Sequence, residues 1–355
     1  MNVSQHTGTL KMLAAAVAFC LLAVGCGDDA VSTTAAPPTT EAPTTTTEGP
    51  TTEAPTTTTA EAPATTEPPT TTTVTATEPI ALGIAIGGDV PEATQTDLAA
   101  GADRAAADFG TEVTYFWVED GPVVALEELA AGSDVVLAVG FGFEDAVNEV
   151  APRFPGVVFV RLDGTVEGPN VVSTRIAMNE AACLAGAAAA LTSESQKIAL
   201  IGAMPVPGVT TLEAGFTTCA RLLGPDVEVT IRYLGEVGQW EMFNDPILGW
   251  NTANELYGDG HDVIMNGAGA SGQGIFEAAG DLRAEGTEVW AIGVDFDQTE
   301  GVKQASAEAI LTSAIRTLDG AVYWVARQAA AGTLPAGGAA DLGIAEGAVA
   351  LTETG

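Results

Sequence analysis

Residues 260–298 read GHDVIMNGAGASGQGIFEAAGDLRAEGTEVWAIGVDFDQ, and their pattern decides the fold. Residues 261–266 are a short apolar run that stops at a glycine loop, 267–272. Ile275, Phe276, Ala279 and Leu282 then recur at helical spacing, and a second apolar run, 289–294, stops at Asp295. Short apolar runs bounded by glycines read as buried strands, and the spacing between them reads as an amphipathic helix. The unit is strand, loop, helix, strand, with polar residues gathered where the strands end. In open parallel sheets ligands bind at that carboxyl end. Asp295 and the loop carrying Gly269 and Ser271 are therefore expected on one wall of a cleft for a small molecule.

The alternation extends in both directions. Residues 79–86, 112–117, 134–139 and 157–162 read as strands, separated by helical stretches at 97–109, 123–131 and 144–151. A second round follows an extended piece at 170–176: a helix at 179–191, a strand at 197–201, a helix at 211–223, a strand at 227–234 and a helix that includes 251–257. After the opening unit come a short extended piece at 309–313, a long helix at 316–331 and final strands within 342–352. Such alternation defines an α/β protein with doubly wound parallel sheets. Two rounds in one chain imply two lobes with a cleft between them.

The chain begins differently. Lys11 precedes an apolar run, 12–24, that ends at Gly25-Cys26, the pattern of a secretory signal and too short for a comfortable membrane span. Cys26 after Ala23-Val24-Gly25 resembles a bacterial lipobox, with Ala23 in place of the commoner Leu. Lipidation of Cys26 is expected; an ordinary signal with an incidental cysteine is the alternative. Residues 27–78 are mostly Thr, Pro, Ala and Glu without Lys or Arg, a composition that cannot bury a core. Extended, they reach on the order of 150 Å, which suits a tether.

The formal net charge is −35. Nucleic acid and anionic lipid carry the same sign, so neither is an expected partner. The charge also repels free anionic ligands and suits uncharged or cationic ones. His261 is the one histidine after the signal, and no CxxC or HxxxH spacing occurs, so no metal site is expected. Cys183 and Cys219 lie in apolar helical patterns, either disulfide-bonded or as two buried thiols. No catalytic set stands out, and no cofactor is expected.

A series of blocks carries a family resemblance. They are Gly140-Phe141 with Asp145-Ala146, Pro169-Asn170-Val171, Asn179-Glu180 with Leu184-Ala185-Gly186, and Glu213-Ala214-Gly215-Phe216. Asp262-Val263-Ile264, Ile292-Gly293-Val294-Asp295, Asp297-Gln298, and Thr312-Ser313 before Arg316 complete them. Over about 134–352 the chain resembles the basic membrane protein family of substrate-binding lipoproteins, which includes purine-nucleoside receptors of ABC importers. The resemblance implies a type I periplasmic-binding-protein fold: two hinged doubly wound parallel-sheet lobes closing on a ligand. The expected division is 79–176 with 309–355 as first lobe and 177–308 as second.

The resemblance also implies site residues. Asp295 matches a ribose-contacting aspartate; a carboxylate accepts from two vicinal hydroxyls at once. Arg316 stands where the family usually has Lys near the sugar and offers a planar fork of donors to Asp295, the ligand or both. Nucleoside receptors of the family carry an Asp-Lys-Ser-Phe-Asn-like segment before the first helix. Here it is Pro91-Glu92-Ala93-Thr94-Gln95, with Thr94 at the Phe position, and Met265 stands where a second Phe is frequent. Asp89 and Gln95 are candidates for the missing polar contacts. Phe141 in a Gly140-Phe141 cleft loop, and Trp240, Phe243 and Trp250 around Asp245-Pro246, are candidates for the aromatic platform or for packing. The function implied is an extracytoplasmic lipoprotein, anchored in the cell membrane through Cys26, that delivers a nucleoside or similar polar small molecule to an ABC permease. The alternatives are a sensor of the same fold and, through the GxGxxG spacing of Gly267, Gly269 and Gly272, an extracellular Rossmann-type enzyme.

Overall fold

The computed structural model describes residues 79–88, 90, 92–118 and 121–353. The expected signal, Cys26, the 27–78 tether and Asp89 lie outside the described residues. The elements run β1 (Ala81–Ile86), α1 (Glu92–Phe109), β2 (Glu112–Trp117), α2 (Pro122–Ala130), β3 (Val135–Val139), α3 (Phe143–Val150), β4 (Val158–Arg161) and β5 (Val171–Ile176). Then come α4 (Met178–Thr192), β6 (Lys197–Gly202), α5 (Pro207–Leu223), β7 (Glu228–Tyr233), α6 (Pro246–Gly258), β8 (Val263–Gly267), α7 (Gly272–Ala284) and β9 (Trp290–Asp295). The chain continues through α8 (Gln304–Ala307), β10 (Ile310–Arg316), α9 (Leu318–Ala330), β11 (Gly338–Leu342) and β12 (Val349–Leu351).

The strands form two six-stranded sheets, ordered β11-β5-β4-β3-β1-β2 and β12-β10-β9-β8-β6-β7. Neighbours are parallel except β12, which runs antiparallel to β10. All five residues of β3 and of β8 are buried. Helices cover both faces of such sheets, so their central strands read as continuous apolar runs rather than alternating ones.

One helix pair explains the alanine-rich 178–192 segment. α4 and α5 pack so closely that a Cβ on Gly215 would lie 2.0 Å from the carbonyl oxygen of Asn179. Only small side chains fit this contact. The Cys183–Cys219 disulfide, with Cα atoms 5.0 Å apart, staples the same pair. This decides between the bonded and free-thiol alternatives. His261 is buried at the start of β8, with Nδ1 against the Leu256 carbonyl and Nε2 against the Thr230 hydroxyl.

The backbone passes between the lobes at 176–178, 316–318 and 342–349. Residues 309–355 do not return whole to the first lobe, as the sequence implied. β10 and β12 complete the second sheet, and only α9, packed on α1, and β11 belong with the first. The physical reason is local: a crossover through α8 lays β10 beside β9, and α4 covers it. Arg316 accordingly ends a strand; it does not open the following helix, which starts at Leu318.

Candidate functional site

Polar side chains meet where the strands of the two sheets end. Asp295 is the last residue of β9, Arg316 the last of β10, and Asp163 lies just beyond β4 in the first lobe. Arg316 Nη2 donates to Asp295 Oδ1 at 2.6 Å, and Nη1 donates to Asp163 Oδ2 at 3.2 Å. One guanidinium therefore holds a carboxylate from each lobe. Burial alone would favour its neutral form, but the fields of Asp295 and then Asp163 outweigh that and raise its pKa further, so it stays charged. Both aspartates have left-handed backbones, φ 72° for Asp295 and 52° for Asp163. Aspartate enters that region more readily than most residues, and such outliers gather at ligand clamps.

Two cavities flank this triad. The larger, about 490 Å³, has walls from Asp295, Gly267 and Gly269, from Phe243, and from the start of α5 around Pro207 and Gly208. The smaller, about 220 Å³, is walled by Gly140, Phe141, Thr94 and Arg161. Asp163, Ile176 and Arg316 line both, so the two are compartments of one cleft. Arg161 is only 3% exposed and is clasped by Glu144, whose Oε1 accepts from Nε at 3.0 Å and Nη2 at 2.7 Å. Partial burial works to raise the Glu144 pKa. Backbone N–H groups of Glu144 and Gly142 and the Arg161 guanidinium overcome it, and the carboxyl is held below its usual range.

The cleft brings together most of the sequence-predicted residues: Asp295, Arg316, Gly140, Phe141 and Gly269 line it. Phe141 is 88% exposed, so its ring stands in the opening and not in the core. Two predicted contacts are corrected. Ser271 is fully buried; its hydroxyl accepts from the Asp245 N–H and donates to the Met242 carbonyl, both at 2.7 Å. The serine expected on the cleft wall is instead consumed in fixing the turn that holds Phe243. Trp240 lines neither compartment; it is 65% exposed and stacks on Phe243 at 6.1 Å, behind the ring that does. Asp89 lies outside the described residues.

Of the other candidates, Met265 is buried in β8, Gln95 donates to the Val90 carbonyl, and Trp250 donates to Asp281. Sequence reasoning missed Asp163, Arg161 and the start of α5. A signal for Asp163 was present, because each half of the chain carries an apolar strand followed by aspartate: VFVRLD at 158–163 and AIGVD at 291–295. The two strands, β4 and β9, occupy the same third place from the β11 and β12 edges of their sheets.

The GxGxxG loop serves packing more than phosphate binding. A Cβ on Gly272 would strike the Asn266 amide at 2.0 Å, and Asn266 itself bonds the Gly269 carbonyl and Gln298. Among the described residues no group of acidic, histidine or cysteine side chains is arranged to hold a metal ion. What the cleft offers is a paired carboxylate and guanidinium and an aromatic ring from each lobe.

Two lobes of parallel sheet with such a cleft define the architecture of solute-binding proteins. A solute-binding protein of ABC transporters from Aeropyrum pernix aligns with 78% of this chain and 77% of its own at 27% identity, TM-score 0.50. An arabinose-binding protein from Geobacillus stearothermophilus, 15% identical over 77% of this chain and 97% of its own, has a TM-score of 0.57 and shares the fold. Residues 113–355 match the family described as ABC transporter substrate-binding protein PnrA-like, and the chain belongs to it. The ABC transporter nucleoside-binding protein BmpA of Lactococcus lactis is 32% identical over 68% of this chain and 71% of its own. The CD4+ T-cell-stimulating antigen of Listeria monocytogenes is 31% identical, and the match covers 62% of each chain. The family is one of substrate-binding proteins and not of enzymes, which removes the Rossmann-type alternative.

Proposed function

We propose that this protein is an extracytoplasmic receptor that binds a nucleoside or similar hydroxylated small molecule in the interlobe cleft and presents it to an ABC permease. The expected lipid on Cys26 and the 27–78 tether hold it at the membrane. The observation that carries the reading is the Asp295–Arg316 pair on the cleft wall. Asp295 Oδ1 is held by the guanidinium, and no hydrogen bond among the described residues reaches Oδ2. A ribose hydroxyl donates to that oxygen and closes a charge-assisted bond. Phe243 supplies a ring for stacking a flat base, worth about 1–3 kcal/mol. Every cleft arginine named here already faces a carboxylate, which favours a neutral ligand over an anionic one.

The family membership and the nucleoside-binding relative support this reading. Thr94, on the wall of the smaller compartment in place of an aromatic residue, bears on which ring the pocket accepts. A thermal-shift screen of the purified protein against adenosine, guanosine, inosine, cytidine, uridine, free bases and ribose tests it. A ligand at a hundred times its dissociation constant stabilises by about 2.7 kcal/mol, which raises the melting temperature by about 5 °C for a domain of this size. No shift with any nucleoside refutes the ligand assignment.

A further inference from the structure

Three backbone crossings join the lobes, and the Asp163 carboxylate touches two of them. Its Oδ1 accepts from the N–H of Ile176, the last residue of β5 before the first crossing, at 3.2 Å. Its Oδ2 accepts from Nη1 of Arg316, the last residue of β10 before the second, at 3.2 Å. Asp295 holds the other terminal nitrogen of Arg316 at 2.6 Å. A continuous polar chain thus runs from the ligand wall of the second lobe, through Arg316 and Asp163, to the backbone of the first hinge strand.

We infer that Asp163 is a positioning residue that couples the Asp295–Arg316 ligand wall to the hinge. Three further observations support it. β4 pairs with β5 only as far as Arg161 with Ser173, so the Ile176 N–H lies beyond the end of its neighbour strand and is capped by the Asp163 side chain. Arg316 Nε is buried without a hydrogen-bond partner among the described residues, so the two aspartates set the orientation of the guanidinium. Asp163 is held at φ 52°, and a strained backbone of this kind persists where surrounding contacts over-determine it. A solute hydroxyl that engages Asp295 or Arg316 redistributes the bonds of the guanidinium. Asp163 conveys that change to Ile176, and the hinge setting acts back on affinity by the same factor.

The ligand part of this inference rests on the binding function proposed above; the hinge part does not. Amide hydrogen exchange at Ile176 in the intact protein separates them. Arg316→Ala is expected to speed exchange at Ile176 about tenfold while the Val172 amide in the same strand keeps its wild-type rate. Arg316→Lys, which keeps a charge for one carboxylate, is expected to restore part of the protection. If Ile176 exchanges as in wild type, Asp163 is a local cap and the coupling is refuted. If Val172 accelerates equally, the effect is general loosening and the coupling is again refuted. With 1 mM guanosine present, Ile176 is expected to slow in wild type and not in Asp163→Asn. Slowing in both contradicts the relay. No binding of guanosine or any other nucleoside to wild type defeats the proposed ligand and leaves the hinge result standing.

Discussion

Replacing Asp295 with asparagine isolates the charge that the proposed site depends on. The residue sits at φ 72°, where asparagine is tolerated much as aspartate is and alanine is not. Asparagine therefore keeps the backbone and the side-chain size and removes the carboxylate. Losing a charge-assisted bond to a ligand hydroxyl costs about 1.5–3 kcal/mol, equivalent to a rise in Kd of about tenfold to two-hundredfold. The lower end is expected, because the variant also releases Arg316 Nη2, now 2.6 Å from Asp295 Oδ1, to donate to the ligand. Calorimetric titration with a bound nucleoside gives the affinity, and a thermal melt run beside it gives the stability. Asp295→Ala should lose affinity similarly and in addition melt about 2 °C lower, since it adds about 1 kcal/mol of backbone strain. An Asp295→Asn protein that melts normally and binds within twofold of wild type would refute the role of the carboxylate.

Two further predictions concern contacts inside each lobe. Reducing the Cys183–Cys219 bond, which closes a span of 36 residues, should lower unfolding free energy by about 4 kcal/mol on the chain-entropy account; a urea midpoint unchanged by reductant contradicts this. Glu144→Gln should destabilise the first lobe by about 2–3 kcal/mol. That is less than the 3–5 kcal/mol of a fully buried pair, because Glu144 is partly exposed while Arg161 is not. The Glu144 carboxyl pKa is lowered in the folded protein, so its contribution is complete above the ordinary glutamate value. It is lost as pH falls below the ordinary glutamate value and through the lower folded one. Stability–pH curves for wild type and Glu144→Gln should converge there, and parallel curves would contradict the pairing.

Much of this architecture was legible in residues, for reasons that differ by element. β8, α7 and β9 were readable because their apolar runs are short, buried on both faces and punctuated by glycine. The place of Asp295 at a strand end on the cleft was readable because an apolar run that stops at a carboxylate marks the carboxyl edge of the sheet. Arg316 was found but placed at the start of a helix, since ILTSAIR carries no period that separates a buried strand from a helix entry. The same ambiguity misassigned β10 and β12 to the first lobe. Ser271 misled because polarity in a glycine loop says nothing about burial, and its hydroxyl turned inward to the 242–245 turn. Asp163 was passed over because its role appears only when both halves of the chain are compared strand for strand, and its contacts, to residues 176 and 316, are distant in sequence.

The most direct test is a crystal structure of the protein grown with guanosine. The nucleoside is expected between the lobes, with ribose hydroxyls within hydrogen-bonding distance of Asp295 and Arg316 and the base against Phe243. A nucleoside bound elsewhere, or seated in the cleft with its sugar turned away from both residues, would contradict it.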